Sequence, residues 1–133
     1  MDREAGLRLE LFVEDMAASI AFYTQVLAFE VVRHEPDDYA SLRWGNAELG
    51  IGPVAKLPEK GGYFGRDVSF HRRGLGVEIV LEVDDVEEWH ARVGASGHAI
   101  LESLQDRPWG LRDFRIADPN GYFLRITSRP PDG

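Results

Sequence analysis

The chain writes one pattern twice. Leu7-Arg8-Leu9-Glu10-Leu11-Phe12-Val13 alternates apolar and polar residues and is followed by Asp15, and Val77-Glu78-Ile79-Val80-Leu81-Glu82-Val83 is followed by Asp85. The offset between Asp15 and Asp85 is 70 residues; it also places Leu9 on Ile79, Leu11 on Leu81 and Val13 on Val83. A period of two is the mark of a half-buried strand, and an aspartate before a helical stretch is a favoured N-cap. Met16, Ile20, Tyr23 and Leu27 then recur at helical spacing, as do Val86, Trp89 and Val93, so each strand is followed by a helix with one apolar stripe. Glu87 and Glu88 suit the positive end of the second helix, and Gly94 or Gly97 ends it.

Each half continues with three strands. In the first, Phe29, Val31 and Val32 open a strand, Pro36-Asp37-Asp38 turns it, Tyr39 to Trp44 returns, Gly45-Asn46 makes a hairpin, and Ala47 to Ile51 closes the unit. In the second, a short strand is expected at Ala99 to Leu101. It is followed by a hairpin in which Phe114 and Ile116 precede Asp118-Pro119-Asn120-Gly121, and Tyr122, Leu124 and Ile126 follow it. Asp-Pro-Asn-Gly is dense turn chemistry: proline presets φ, aspartate bonds nearby backbone, and Asn-Gly accepts positive φ. The chain therefore reads as one domain, 1–133, of class α+β. It is built from two tandem βαβββ modules, about 6–52 and about 77–128, each helix covering one sheet face. Residues 53–76, rich in glycine and proline and carrying Tyr63 and Phe64, are the expected linker or lid.

A net charge of −8 and a pI near 4.9 argue against nucleic acid and against an anionic membrane surface. No run of apolar residues is long enough to span a bilayer, and the start Met1-Asp2-Arg3-Glu4 lacks a signal-peptide core. There is no cysteine, so disulfides and thiol catalysis are excluded and a cytoplasmic location is the expectation.

The repeat, the segment Ser19-Ile20-Ala21-Phe22-Tyr23 with Leu27-Ala28-Phe29, and the ending Trp109-Gly110 through Asp118-Pro119-Asn120-Gly121 together resemble the vicinal-oxygen-chelate superfamily. That superfamily includes glyoxalase I, extradiol dioxygenases, fosfomycin-resistance enzymes and bleomycin-resistance proteins. The resemblance implies curved sheets whose open faces form a cleft, with helices on the outer faces, and a homodimer. Enzymes of the family hold a divalent metal with residues of the first and last strands of modules. Carried onto this chain, those places are Arg8, Glu48, Glu78 and Arg125.

Two of the four are arginine, which has no lone pair to give. A divalent ion wants three or four anionic or imidazole ligands. A guanidinium about 5 Å away repels each unit of metal charge by roughly 3 kcal/mol at an effective dielectric of about 20. None of His34, His71, His90 and His98 has ligand spacing with another. The expectation is therefore no metal and no cofactor, with Arg8 and Arg125 paired to Glu78 and Glu48. Period two adds Phe12, Val80 and Phe123 to the ligand-facing set, and Trp109, Tyr63 and Phe64 supply flat rings for a planar ligand. Trp44 is expected to pack.

Gln105-Asp106-Arg107-Pro108-Trp109-Gly110 resembles the segment before the last hairpin of bleomycin-resistance proteins, which are metal-free drug-binding dimers. The resemblance thus implies a small-molecule binding protein that sequesters an aromatic, cationic ligand. The alternative is a glyoxalase-like lyase or isomerase, or a dioxygenase, using a metal or a glutamate base, for which Glu78 and Glu48 are the candidates.

Overall fold

Asp15 and Asp85 do the same work in both halves. Each accepts a backbone hydrogen bond on Oδ1, from Ala18 and Glu88 respectively, both at 3.0 Å, and so satisfies a donor that a helix start leaves free. The computed structural model describes residues 4–59 and 74–130. Tyr63 and Phe64 lie outside the described residues.

The first unit runs β1 (Arg8–Val13), α1 (Met16–Ala21) passing into a π-helical turn (Phe22–Val26), β2 (Glu30–Glu35), β3 (Tyr39–Trp44) and β4 (Ala47–Pro53), with a short 3₁₀ turn at Val54–Lys56. The second runs β5 (Glu78–Val83), α2 (Val86–Ala95), β6 (Glu102–Asp106), β7 (Arg112–Ala117) and β8 (Phe123–Ser128). Each unit is a curved four-stranded sheet with one helix on one face. The strand orders are β1-β4-β3-β2 and β5-β8-β7-β6, and the first and last strands of each unit lie parallel while the rest pair antiparallel. Among the described residues no helix is long and apolar enough to cross a membrane.

The alternation sorts the faces as the sequence predicts. In the first unit Leu11, Val13, Leu42, Leu49 and Ile51 pack against Met16, Phe22, Tyr23 and Leu27; in the second, Ile79, Leu81, Phe114, Ile116, Leu124 and Ile126 are buried with Val86 and Val93. Leu9, on edge strand β1, is only half-buried. The π turn, closed by Leu27 N–H donating to the Phe22 carbonyl, carries both Phe22 and Tyr23 into the core. Tyr23 meets Phe22 and Phe29 edge to face at 4.8 and 5.6 Å, and Phe29 meets Trp44 at 5.6 Å, so Trp44 packs.

Helix α2 ends at Gly97, whose φ of +84° carries the chain out. The strand expected at Ala99–Leu101 begins later, at Glu102. The His98 ring, through Nε2, bonds the Ala117 carbonyl at 2.7 Å, so a side chain and not the ladder joins this stretch to the end of β7. Regular pairing starts with Leu101 N–H on the Arg115 carbonyl.

The last hairpin is pinned by its turn. Asp118, 5 % exposed, accepts from the backbone of Asn120 (2.8 Å) and Tyr122 (2.9 Å) on one oxygen, and Gly121 sits at φ +95°. This fixes Arg115 opposite Arg125 and Asp113 opposite Thr127.

Candidate functional site

The sheet face of the second unit that turns away from α2 carries Glu78, Val80 and Glu82 on β5, Phe123, Arg125 and Thr127 on β8, and Asp113 and Arg115 on β7, because register partners share a face. Six charged side chains close a ring there. Asp113 Oδ1 accepts from Arg107 Nε at 2.8 Å, and Arg107 Nη2 reaches Glu102 Oε1 at 3.0 Å. The same Glu102 oxygen takes Arg115 Nη1 at 2.9 Å, and Arg115 Nε meets Glu78 Oε2 at 3.2 Å. Glu78 Oε1 takes Arg125 Nε at 2.6 Å, and Arg125 Nη1 returns to Asp113 Oδ2 at 3.5 Å. Three guanidiniums and three carboxylates alternate, so the ring is formally neutral.

Burial grades around the ring. Asp113 is wholly buried, the arginines are 15–22 % exposed, Glu78 is 28 % exposed and Glu102 is 42 % exposed. The bonds from Arg107 and then Arg115 hold the Glu102 carboxyl below its ordinary range, and Asp113 followed by Glu102 raises Arg107. Arg107 reaches the ring because the turn from Arg107 to Leu111 folds back on itself, with Gly110 at φ +90°. Trp109 stands on that turn, 57 % exposed, with the Arg107 guanidinium 5.9 Å from its ring centre.

The open face of the first unit has another character. Its rows across the sheet are Arg8, Glu48, Arg43 and Glu30, then Glu10, Gly50, Ser41 and Arg33. Next come Phe12 and Gly52, with Tyr39 and Glu35 on the far strands. Arg8 Nε pairs with Glu10 Oε1 at 2.9 Å, and Glu48 takes Arg43 at 3.2 Å. The Tyr39 hydroxyl lies 3.0 Å from both oxygens of Glu10. Burial and then the bond to Glu10 raise the phenol above its usual value, which keeps it protonated. The Glu10–Tyr39 link crosses Gly50, where a Cβ would collide with both side chains. Two shallow grooves share Glu10, Arg33 and Tyr39. One, of about 370 Å³, adds Arg8, Val32 and Ser41. The other, of about 430 Å³, adds Phe12, Glu35, Asp38, Gly52, Pro53 and Lys56.

The expected pairing is therefore found in half. Arg125 holds Glu78, but Arg8 turns to Glu10 and Glu48 to Arg43. Arg43 stands directly across the antiparallel β3–β4 pair from Glu48, and Glu10 is the next residue on Arg8's own face. The register also moves Glu48 out of the repeat. Arg8 aligns with Glu48 as Glu78 aligns with Phe123, and Glu10 aligns with Gly50 as Val80 aligns with Arg125. The counterpart of Arg125 in the first unit is thus Gly50, and that of Glu48 is Phe123. Val80, 41 % exposed, and Phe123 border the ring.

Glu102, Arg107, Asp113 and Arg115 were not among the residues singled out from the sequence. Arg115 and Asp113 were within reach of it, since the Asp118–Tyr122 turn sets the β7–β8 register. Arg107 and Glu102 depend on the bulge between Glu102 and Gln105 and left no pattern to count.

This donor set does not fit a divalent metal. Both oxygens of Glu78 are engaged by arginines, Glu48 is engaged by Arg43, and Arg8 and Arg125 repel a cation. Among the described residues no three of His, Cys, Asp and Glu are grouped to hold one.

Two consequences follow for stability. Asp113→Ala leaves Arg107 and Arg125 facing each other without their buried counter-charge, and it should cost about 3 kcal/mol in urea unfolding at neutral pH. Because the Glu102 carboxyl is depressed in the folded chain, its contribution is present above about pH 4.3, the ordinary glutamate value, and fades as pH falls through the folded value. Glu102→Gln should therefore be less stable than the parent at pH 7, and the gap should close in denaturation curves taken toward pH 3.

The family model described as the Glyoxalase/Bleomycin resistance protein/Dioxygenase superfamily matches residues 7–126. TioX from Micromonospora sp. ML1 is similar in fold, with a TM-score of 0.78 at 23 % identity over 96 % of this chain and 100 % of that one. A lactoylglutathione lyase from Agrobacterium tumefaciens has a TM-score of 0.74 at 21 % identity, over 96 % and 95 %. A glyoxalase/bleomycin resistance protein/dioxygenase from Nocardioides has a TM-score of 0.76 at 21 % identity, over 100 % and 88 %. Comparison with functionally curated proteins returned no match. With a repeated βαβββ unit, two open sheet faces and a family match over nearly its whole length, the chain belongs to the Glyoxalase/Bleomycin resistance protein/Dioxygenase superfamily.

Proposed function

We propose that this protein is a metal-independent small-molecule binder of the bleomycin-resistance type, which sequesters an aromatic, positively charged ligand in a cleft. The observation that carries the reading is the state of Glu78. Both of its oxygens accept from arginine, at 2.6 and 3.2 Å, and Glu78 is one of the positions onto which the family resemblance carries a metal ligand. A carboxylate so engaged has little left for a metal, and it is poorly placed to take a proton from a substrate. Glu48, the other candidate base, is engaged by Arg43. The lactoylglutathione lyase shares this fold, but fold likeness at such identity carries no chemistry with it.

The remaining residues suit a wall for an amphipathic organic molecule. Val80, Phe123 and the exposed Trp109 offer apolar and aromatic surface beside the neutral ring of the second unit. A net charge of −8 favours the approach of a cation. The reading includes a homodimer.

The test is a titration with proflavine, a planar cation, followed by tryptophan emission and repeated after dialysis against EDTA. Saturable binding that the chelator leaves unchanged, and that weakens as salt rises, is expected. Binding abolished by EDTA and restored by Ni²⁺ or Zn²⁺ would overturn the reading.

A further inference from the structure

Two guanidiniums of the second unit converge on one oxygen. Arg107 Nη2 and Arg115 Nη1 both donate to Glu102 Oε1, at 3.0 and 2.9 Å. Neither arginine relies on Glu102 alone for its direction. Arg107 also donates through Nε to the wholly buried Asp113 at 2.8 Å, and Arg115 does so through Nε to Glu78 at 3.2 Å. Each guanidinium is thus anchored at Nε on a less exposed carboxylate and reaches with one Nη to the most exposed carboxylate of the ring. The arginines are 15 and 19 % exposed, and Glu102 is 42 % exposed. Glu102 stands on the edge strand β6, beside the register shift between Glu102 and Gln105. Its Oε2 takes no bond among the described residues.

The geometry points to a carboxylate-binding site at Arg107 and Arg115 that the chain closes with its own Glu102, and in which the carboxylate of an aromatic ligand takes the place of Oε1. The exchange keeps the ring neutral, because one carboxylate leaves as another arrives, so the buried charge of Asp113 stays compensated. The displaced Glu102, already half-exposed on an edge strand, returns to water. The incoming carboxylate meets two N–H donors that are oriented before it arrives, which lowers the ordering cost of binding, and hydrogen bonds between guanidinium and carboxylate are of the strong, charge-assisted kind. Trp109 stands beside the site, 57 % exposed, with the Arg107 guanidinium 5.9 Å from its ring centre, so an aryl group on the ligand has a flat surface to meet. The net charge of −8 opposes an anion at long range, a handicap that salt screens. This site is additional to the small-molecule reading above, and its ligand group carries the opposite charge.

Glu102 supplies the test. Benzoate and the neutral benzamide would be titrated by calorimetry into the parent, Glu102→Gln and Glu102→Ala at pH 7 and fixed ionic strength. In the parent the tethered carboxylate competes at a high effective concentration, so benzoate binds weakly. Glu102→Ala removes the competitor and should bind benzoate about tenfold or more tightly than the parent. Glu102→Gln, of the same length but uncharged, should fall between the two, and benzamide should gain in neither variant. Benzoate should also raise the melting temperature of Glu102→Ala by more than an equal concentration of chloride does. Where Glu102→Ala does not fold, the comparison of Glu102→Gln with the parent decides. Equal benzoate affinity in parent and variants, or a gain for benzamide as large as that for benzoate, overturns the site and leaves the proflavine reading standing.

Discussion

Asp113 is a carboxylate wholly buried from solvent, and the second unit is arranged around that fact. A buried charge is tolerable only with counter-charges in good geometry. Arg107 supplies one as a hydrogen bond to Oδ1 at 2.8 Å, Arg125 offers its charge to Oδ2 from 3.5 Å without a hydrogen bond, and each of those arginines, itself mostly buried, takes a second acceptor. Glu102 and Glu78 are those acceptors, and Arg115 closes the circuit between them. The ring thus runs inward from the half-exposed Glu102 to the enclosed Asp113. It also ties β5, β6, β7 and β8 and the turn after β6 to one another on the face that no helix covers. Stiffness on that side comes from paired charges, where the other side of the sheet relies on packed aliphatic residues.

Much of this was legible in the sequence, for identifiable reasons. The repeat places both caps and the opening strand of each unit, because a period of two and an N-cap aspartate are local signals. The Asp118 turn pinned the last hairpin because its hydrogen bonds lie within five residues. Long-range pairing is less legible. Glu48 and Arg125 both stand on the last strand of their units, yet the ladder puts Gly50 at the level of Arg125, since register across a parallel pair leaves no local trace. Arg8 chose Glu10, its neighbour two residues on, over a partner on another strand. The bulge that brings Arg107 and Glu102 into the ring is a departure from periodicity, and counting residues does not find it.

The two open faces, built from one repeat, have diverged in kind. In the second unit side chains occupy the face and neutralise one another. In the first, Gly50 and Gly52 clear it, and the Glu10–Tyr39 link stands over one glycine while the other lies bare. Among the described residues neither face groups the carboxylates and imidazoles of a metal centre. Membership of a superfamily that contains metalloenzymes therefore fixes the scaffold here and leaves the chemistry to the residues that stand on it.

The central claim is that arginines have taken the carboxylates a metal would need. Elemental analysis tests it most directly: the purified protein is incubated with Ni²⁺, Zn²⁺, Mn²⁺ and Fe²⁺ in turn, desalted exhaustively, and its metal content measured. The account predicts less than about a tenth of an equivalent of each metal per chain. Close to one equivalent of any of them would contradict it, because a bound divalent ion would require Glu78 to leave Arg115 and Arg125.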